Sequence, residues 1–233
     1  MNIALIIAGG VGQRVGRNIP KQFIKVDGKP IIVYTLANAQ NCGVIDAIVV
    51  VCKSGWESEV KNYTEKYKIN KLKAIIVGGE TRFDSVKNGI NFVTENFSNK
   101  DNIILVDANR PLIPQYVFTD GIERLNAVNG SVLSVENCFD TMFMCVDGQV
   151  VETVNRDVLF KGQGPEFMRI SDVKEIYSAA EKEGINDKIP TQLMLYYGKK
   201  VYQSTGSPLS FKITVEEDID VFKAMLKVKE NKE

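Results

Sequence analysis

AGGVGQRVGRNIPKQF, residues 8–23, follows a short apolar run at residues 3–7 and carries glycine at 9, 10, 12 and 16, with Arg14, Arg17 and Lys21 set among and just after them. Glycine lets a backbone turn sharply and approach a ligand closely, and fixed cations beside such a backbone favour an anion. A phosphate is the first ligand this arrangement suggests. The cations are local. The whole chain of 233 residues balances 29 Lys and Arg with 29 Asp and Glu, yet residues 1–29 set Arg14, Arg17, Lys21, Lys25 and Lys29 against Asp27 alone. On charge alone this cluster reads equally as a solvated loop; the glycines favour a ligand.

Two common owners of a glycine-rich loop fail on particular residues. A dinucleotide fingerprint beginning at Gly10 and Gly12 needs a small residue where Val15 stands, and an acidic residue at the end of the second strand, where the chain reads VCKSG with Lys53. A P-loop needs Gly-Lys followed by Ser or Thr, and that sequence does not occur.

Composition narrows the chemistry. With no histidine, imidazole bases, His-based triads and His-ligated metals are excluded, so catalysis must rest on carboxylates, Lys and Arg. Cys42, Cys52, Cys138 and Cys145 lack C-x-x-C spacing and read as reduced packing residues. Zero net charge gives no reason to expect a nucleic-acid or anionic-membrane partner. Without an N-terminal signal or an apolar run near the ~18 residues a membrane span needs, the expectation is a soluble cytoplasmic protein.

Apolar runs at residues 3–7, 47–52, 74–77 and 103–106 suit parallel strands buried on both faces. Helical patterns lie between them, the clearest placing Phe83, Val86, Ile90, Val93 and Phe97 on one face. Ser54 with Glu57 and Thr214 with Glu217 read as capping boxes. The alternation predicts an α/β fold, a doubly wound, mostly parallel Rossmann-like sheet with its ligand at the carboxyl ends of the strands. After about residue 130 the pattern changes to short β-like pieces around an Asp147-Gly148 turn, with no helical pattern before Ser171. We read residues 1–233 as a single domain with a projecting β-arm at about 137–159. A helix is expected near 171–184, a strand near 200–203 and a last helix from about 215. Trp56 reads as packing on a helix start rather than stacking a base.

The glycine loop with Arg14 and PKQF (residues 20–23) resembles the signature of sugar-type and polyol-type nucleotidyltransferases. More closely, the chain resembles the cytidylyltransferases acting on methylerythritol phosphate and ribitol phosphate. The resemblance continues through GGETRFDSVKNG, LVDANRP, DTM, TVNRD, GPEF and FKITVEED, in the family's order and at similar intervals, over nearly the whole chain. It implies attack of an acceptor phosphate oxygen on the α-phosphorus of CTP, with release of pyrophosphate and Mg²⁺ as cofactor. Such a reaction relies on in-line positioning and charge neutralisation.

By this resemblance Arg14, Lys21 and Lys212 are the catalytic cations. Ala8, Gly9, Gly10, Gly12, Gly79, Glu80 and Ser85 bind the nucleotide, although on its own Ser85 reads equally as a solvent-facing helix hydroxyl. Asp107 and Arg110 serve the acceptor, with Asp107 the candidate metal ligand, while Thr141 and Arg156 carry acceptor contacts on the arm. The arm implies a homodimer in which Arg156 serves the partner's cleft.

Departures from the family pattern gather on the acceptor side. Val106 stands where the family has His, Asn109 where it has Ala, Gly164-Pro165-Glu166 where it has Thr-Pro-Gln, and KIPT (residues 188–191) where an acidic stretch is usual. They point away from methylerythritol phosphate and toward a polyol phosphate of the glycerol or ribitol type, for capsule or teichoic polymers. A sugar-1-phosphate nucleotidyltransferase using another NTP, a methylerythritol-phosphate enzyme and a non-catalytic nucleotide-binding protein are the alternatives.

Overall fold

The computed structural model describes residues 1–10 and 19–230. The elements run β1 (Asn2–Ala8), β2 (Lys25–Val26), β3 (Lys29–Pro30), α1 (Ile31–Gln40), β4 (Ala47–Cys52), α2 (Glu57–Lys66), β5 (Leu72–Val77), α3 (Arg82–Asn96), β6 (Asn102–Asp107) and α4 (Gln115–Ala127). They continue with β7 (Ser131–Asn137), β8 (Met142–Val146), β9 (Gln149–Val154), β10 (Phe160–Arg169), α5 (Ile170–Glu183), α6 (Pro190–Tyr196), β11 (Val201–Thr205) and α7 (Glu216–Glu230).

Seven strands form the central sheet in the order β11-β7-β10-β6-β1-β4-β5. β1 pairs in parallel with β4 and β6, β4 with β5, and β7 with β11, while β10 runs antiparallel to both β6 and β7. Side chains alternate across a strand, so one apolar run serves two cores. Ala4, Ile6, Ile48, Val50, Ile104 and Val106 face α1, α2 and α4. Ile3, Leu5, Val49, Val51, Ile103 and Leu105 face α3, α5 and α6. A third cluster joins Ile24, Val26 and Ile31 to Ile213, Ile219 and Phe222, clamping α7 beside the chain that enters α1.

β5 departs from the expected double burial because it closes the sheet edge, leaving its residues half-buried or exposed. β10 and α6 were not marked in the sequence. The ladder partners of β10 lie far off in the chain, and α6 is a seven-residue helix opened by Pro190 at its first position and by Gln192, whose Oε1 accepts the Ile189 amide at 3.1 Å.

Both sequence-read capping boxes are corrected. Gly55, at φ 85°, turns the chain, Trp56 occupies the N-cap, and no side chain caps α2. Ahead of α7 it is Asp218, not Glu217, whose Oδ2 accepts the amides of Thr214 at 2.6 Å and Val215 at 3.0 Å. The reciprocal box that does form joins Thr81 and Asp84 at the start of α3. Of the cysteines, all free thiols, Cys42 and Cys52 are buried, but Cys138 is half-buried and Cys145 exposed, so the packing role fails for these two. Among the described residues no helix is long and apolar enough to cross a membrane.

β8 and β9 form the expected arm, a separate two-stranded hairpin whose Asp147 and Gly148 adopt φ 48° and 80°. Two consecutive positive φ values give the turn that matches strand twist.

Candidate active site

Strand order reverses where β1 meets β6, and in a doubly wound sheet ligands bind outside the carboxyl ends of the strands at such a point. A cleft of about 650 Å³ opens there. Its walls come from the segments after four strands: Gly9 and Gly10 after β1, Lys53 and Ser54 after β4, Gly78 to Arg82 after β5, and Asp107 to Asn109 at the end of β6. Lys21, Ser85 and Lys212 complete it.

Gln22 holds the chain leaving β1, its Nε2 donating to the carbonyls of Ala8 at 2.6 Å and Gly10 at 3.0 Å. The following Phe23 stacks on Trp56 with ring centroids 4.1 Å apart, which ties the PKQF segment to the start of α2 and bears out packing rather than base stacking for Trp56. Ser85 is buried on the first turns of α3, where its Oγ accepts the Gly79 amide at 3.1 Å. Glycine is required beside it. A Cβ on Gly9 would stand 2.7 Å from Ser85 Oγ, and one on Gly79 would stand 2.2 Å from the Asp84 Cβ. Two loops, those after β1 and β5, thereby close on one hydroxyl.

The charged centre is Asp107. Its Oδ2 lies 2.9 Å from Lys212 Nζ and 3.3 Å from Arg110 Nε, and its Oδ1 lies 3.3 Å from Arg82 Nη2. Burial pushes the Asp107 carboxyl up, but Lys212, Arg82 and Arg110 together outweigh it and hold the group well below the usual carboxylate range. Arg82 is likewise held protonated: burial lowers its pKa, and Asp107 and Glu166 more than reverse the shift. Asn109 fixes Lys212 in place, because its side chain donates to the Ile213 carbonyl while its own carbonyl accepts the Ile213 amide at 3.0 Å. Arg110 also reaches the Ser210 carbonyl through Nη1.

A second cleft of about 340 Å³ shares Arg82, Asp107 and Lys212 with the first and adds Arg110, Leu133, Gly164, Glu166 and Ile189. Glu166 is 5% exposed and its Oε2 accepts both the amide and the hydroxyl of Thr191. Burial raises its pKa above the ordinary value; the Thr191 hydrogen bonds and Arg82 oppose the shift without cancelling it.

Of the residues expected from the sequence, Ala8, Gly9, Gly10, Lys21, Gly79, Glu80 and Ser85 line the larger cleft, Asp107 and Lys212 line both, and Arg110 lines the smaller. Gly12 and Arg14 lie outside the described residues. Thr141 and Arg156 sit on or beside the arm, exposed, and line neither cleft of their own chain; Arg156 donates through Nη1 to the Phe139 carbonyl. Sequence reasoning missed Arg82, Gln22 and the Glu166–Thr191 pair. Arg82 stood in a quoted motif, two residues from the β5 turn. Glu166 and Thr191 were noted as departures, but nothing local revealed that they meet.

Mg²⁺ fits this donor set in a limited sense. The larger cleft offers two carboxylates, Glu80 and Asp107, and no described group of three or more acidic, Cys or His side chains could hold an ion alone. Mg²⁺ bound mainly by substrate phosphates needs no more than one or two carboxylates.

The IspD family model, 2-C-methyl-D-erythritol 4-phosphate cytidylyltransferase, matches residues 2–228. A ribitol-5-phosphate cytidylyltransferase from Streptococcus agalactiae serotype Ia is 35% identical, with the alignment covering 100% of this chain and 98% of that protein. A 2-C-methyl-D-erythritol 4-phosphate cytidylyltransferase from Clostridium acetobutylicum is 34% identical, covering 97% and 98%. The crystal structure of 4-diphosphocytidyl-2C-methyl-D-erythritol synthase from Anaerococcus prevotii superposes with a TM-score of 0.79 at 26% identity, covering 97% of this chain and 98% of that one. Matched by the family model over residues 2–228 and aligned with these relatives over nearly its full length, the chain belongs to the IspD family of cytidylyltransferases.

Proposed function

We propose that this enzyme transfers the cytidylyl group of CTP to a small polyol phosphate, ribitol 5-phosphate foremost, releasing pyrophosphate and forming a CDP-alcohol. The observation that carries the reading is the sharing of Asp107, Arg82 and Lys212 between the two clefts, so that a nucleotide in one and an acceptor phosphate in the other meet at one cationic node. The relatives named for ribitol 5-phosphate support the acceptor class.

In this reading the cytosine lies against Ala8, Gly79, Glu80 and Ser85, and the triphosphate follows the loop amides of Gly9, Gly10 and Gly12 with Arg14 and Lys21 beside it. The acceptor phosphate sits against Arg110 and Lys212. One of its oxygens forms a bond to the α-phosphorus as the bond to the bridging α–β oxygen breaks, and pyrophosphate departs with that electron pair. Lys21, Arg14 and Lys212 stabilise the negative charge that grows on the phosphoryl oxygens. Asp107 keeps Lys212, Arg82 and Arg110 aimed at the centre and offers one ligand to Mg²⁺. When bound, Mg²⁺ supplies further neutralisation of the phosphates.

The arm completes the site in a homodimer, with Thr141 and Arg156 reaching the partner's acceptor cleft. The product is an activated donor of the kind consumed by transferases that build phosphodiester-linked capsule or teichoic polymers, and the place of action is the cytoplasm. Pyrophosphate release measured across four NTPs and a panel of polyol and sugar phosphates tests the proposal. The expected maximum is CTP with ribitol 5-phosphate in the presence of Mg²⁺. A maximum with methylerythritol phosphate would reassign the acceptor, and one with UTP or dTTP and a hexose 1-phosphate would overturn the reading.

A further inference from the structure

Glu166 faces Leu105 across the antiparallel β6–β10 ladder. Leu105 and Asp107, two residues apart on β6, share a face of the sheet, so Glu166 projects to the same face as Asp107, into the smaller cleft. Both of its hydrogen bonds go to Oε2, from the backbone and hydroxyl of Thr191, and Oε1 accepts none among the described residues. A neutral glutamine would offer Thr191 the same acceptor oxygen without the cost of burying a charge. The carboxylate therefore does something beyond holding α6. Besides a charge that acts on Arg82, what it adds is a second, acceptor-only oxygen, in a cleft where Leu105, Leu133 and Ile189 stand beside Arg82, Arg110 and Lys212. Such an oxygen repels a phosphate and takes hydrogen bonds from hydroxyls. Gly164 enlarges the space: a Cβ there would touch nothing closer than Arg110 Nε at 3.5 Å.

We propose that Glu166 is a specificity-determining residue of the acceptor cleft, its Oε1 taking a hydrogen bond from a hydroxyl of the polyol whose phosphate lies against Arg110 and Lys212. The assignment rests on the cytidylyl-transfer reading above. A site built to bond a hydroxyl rejects analogues lacking it far more strongly than an apolar pocket rejects a missing methylene.

The test is steady-state kinetics at saturating CTP and Mg²⁺ with ribitol 5-phosphate and its monodeoxy analogues, on wild type, Glu166→Gln and Glu166→Asp. We expect Glu166→Gln to raise the KM for ribitol 5-phosphate about 10-fold or more, with the KM for CTP within about twofold and kcat within about threefold. One monodeoxy analogue should lose a similar factor with wild type and nothing further with Glu166→Gln. Glu166→Asp keeps the charge and withdraws it by one methylene, so discrimination against that analogue should shrink. The proposal is overturned if no single deoxy analogue costs wild type more than about threefold, or if wild type and both variants discriminate alike. Wild type inactive toward every polyol phosphate would instead overturn the function and this assignment with it.

Discussion

Lys212 Nζ lies 2.9 Å from Asp107 Oδ2, which binds the segment before α7 to the carboxyl end of β6 at the seam between the two clefts. The pair is only part of a node, since Asp107 also holds Arg82 and Arg110. Removing Lys212 leaves the carboxylate paired, so the fold should survive while the transferring phosphoryl group loses a cation. Lys212→Ala should lower kcat/KM by about 10²-fold, with a melting temperature close to wild type. Asp107→Asn should behave oppositely in stability: three cations remain crowded without their counter-charge, and unfolding by denaturant should show a clear loss.

Lys21 and Lys25 separate a charge at the reacting centre from general electropositivity. Lys21 lines the larger cleft, whereas Lys25 is exposed on β2 outside it. Lys21→Ala should lower turnover on the order of 10²-fold or more, about 3 kcal/mol in activation free energy, and Lys25→Ala should be nearly neutral. Equal losses in a pyrophosphate-release assay would mean that the charge of the loop matters only in sum.

Two glycines of the larger cleft should differ sharply when changed to alanine. At Gly79 the added methyl would stand 2.2 Å from the Asp84 Cβ, whereas at Gly10 it meets nothing within 4 Å among the described residues. Gly79→Ala must displace the Thr81–Asp84 cap or the amide that Ser85 accepts, and should raise the Kd for CTP by about 10-fold or more in calorimetry. Gly10→Ala should change CTP affinity little. Similar values for the two variants would show that the nucleotide does not use the Gly79–Ser85 contact.

The sheet was legible because its signal is local. Continuous apolar runs give doubly buried strands, the 3.6-residue spacing of Phe83, Val86, Ile90 and Val93 gives α3, and Asp147-Gly148 gives the hairpin turn. Lys212, Asp107 and Arg110 were found through family motifs, and their mutual contacts depend on pairing across the chain. The failures share a cause. Glu166 finds Thr191 through an antiparallel strand and a short helix with no strong local pattern, and Arg82 meets Asp107 only because β5 and β6 end on the same side of the sheet. Ser54 had the residue type of an N-cap, but the positive φ of Gly55 placed the helix start beyond it.

Asp107 and Glu166 share one face of the sheet, yet their pKa values shift in opposite directions, and stability against pH should report both. Burial raises the Glu166 value, so the folded state binds that proton more tightly than the unfolded one. Its contribution grows as pH falls through the raised folded value, and at neutral pH the buried charge is a cost. Glu166→Gln should therefore melt at or above wild type at about pH 8, with the advantage shrinking toward about pH 5. Asp107 behaves the other way, because its depressed value gives stability that is present at neutral pH and lost only in acid. A constant difference between wild type and Glu166→Gln across the titration would show that Glu166 takes up no extra proton on folding, so that burial does not raise its pKa.

The arm leaves an apolar surface uncovered in the single chain. Phe143, Met144, Val146, Val150 and Val151 are all exposed on the two-stranded hairpin, and an isolated hairpin is marginal in water. Arg156, just beyond β9, lines neither cleft of its own chain. A two-fold pairing would cover the apolar residues of both arms and deliver each Arg156 to the other subunit's acceptor cleft. Light scattering should show a dimer. Arg156→Ala and Lys21→Ala should each be nearly inactive alone. Mixed and allowed to exchange subunits, they should recover activity, because one site of each hybrid then holds an intact Lys21 and an intact Arg156. A stable, active monomer, or confirmed hybrids without recovered turnover, would rule out the arm as a shared part of the site.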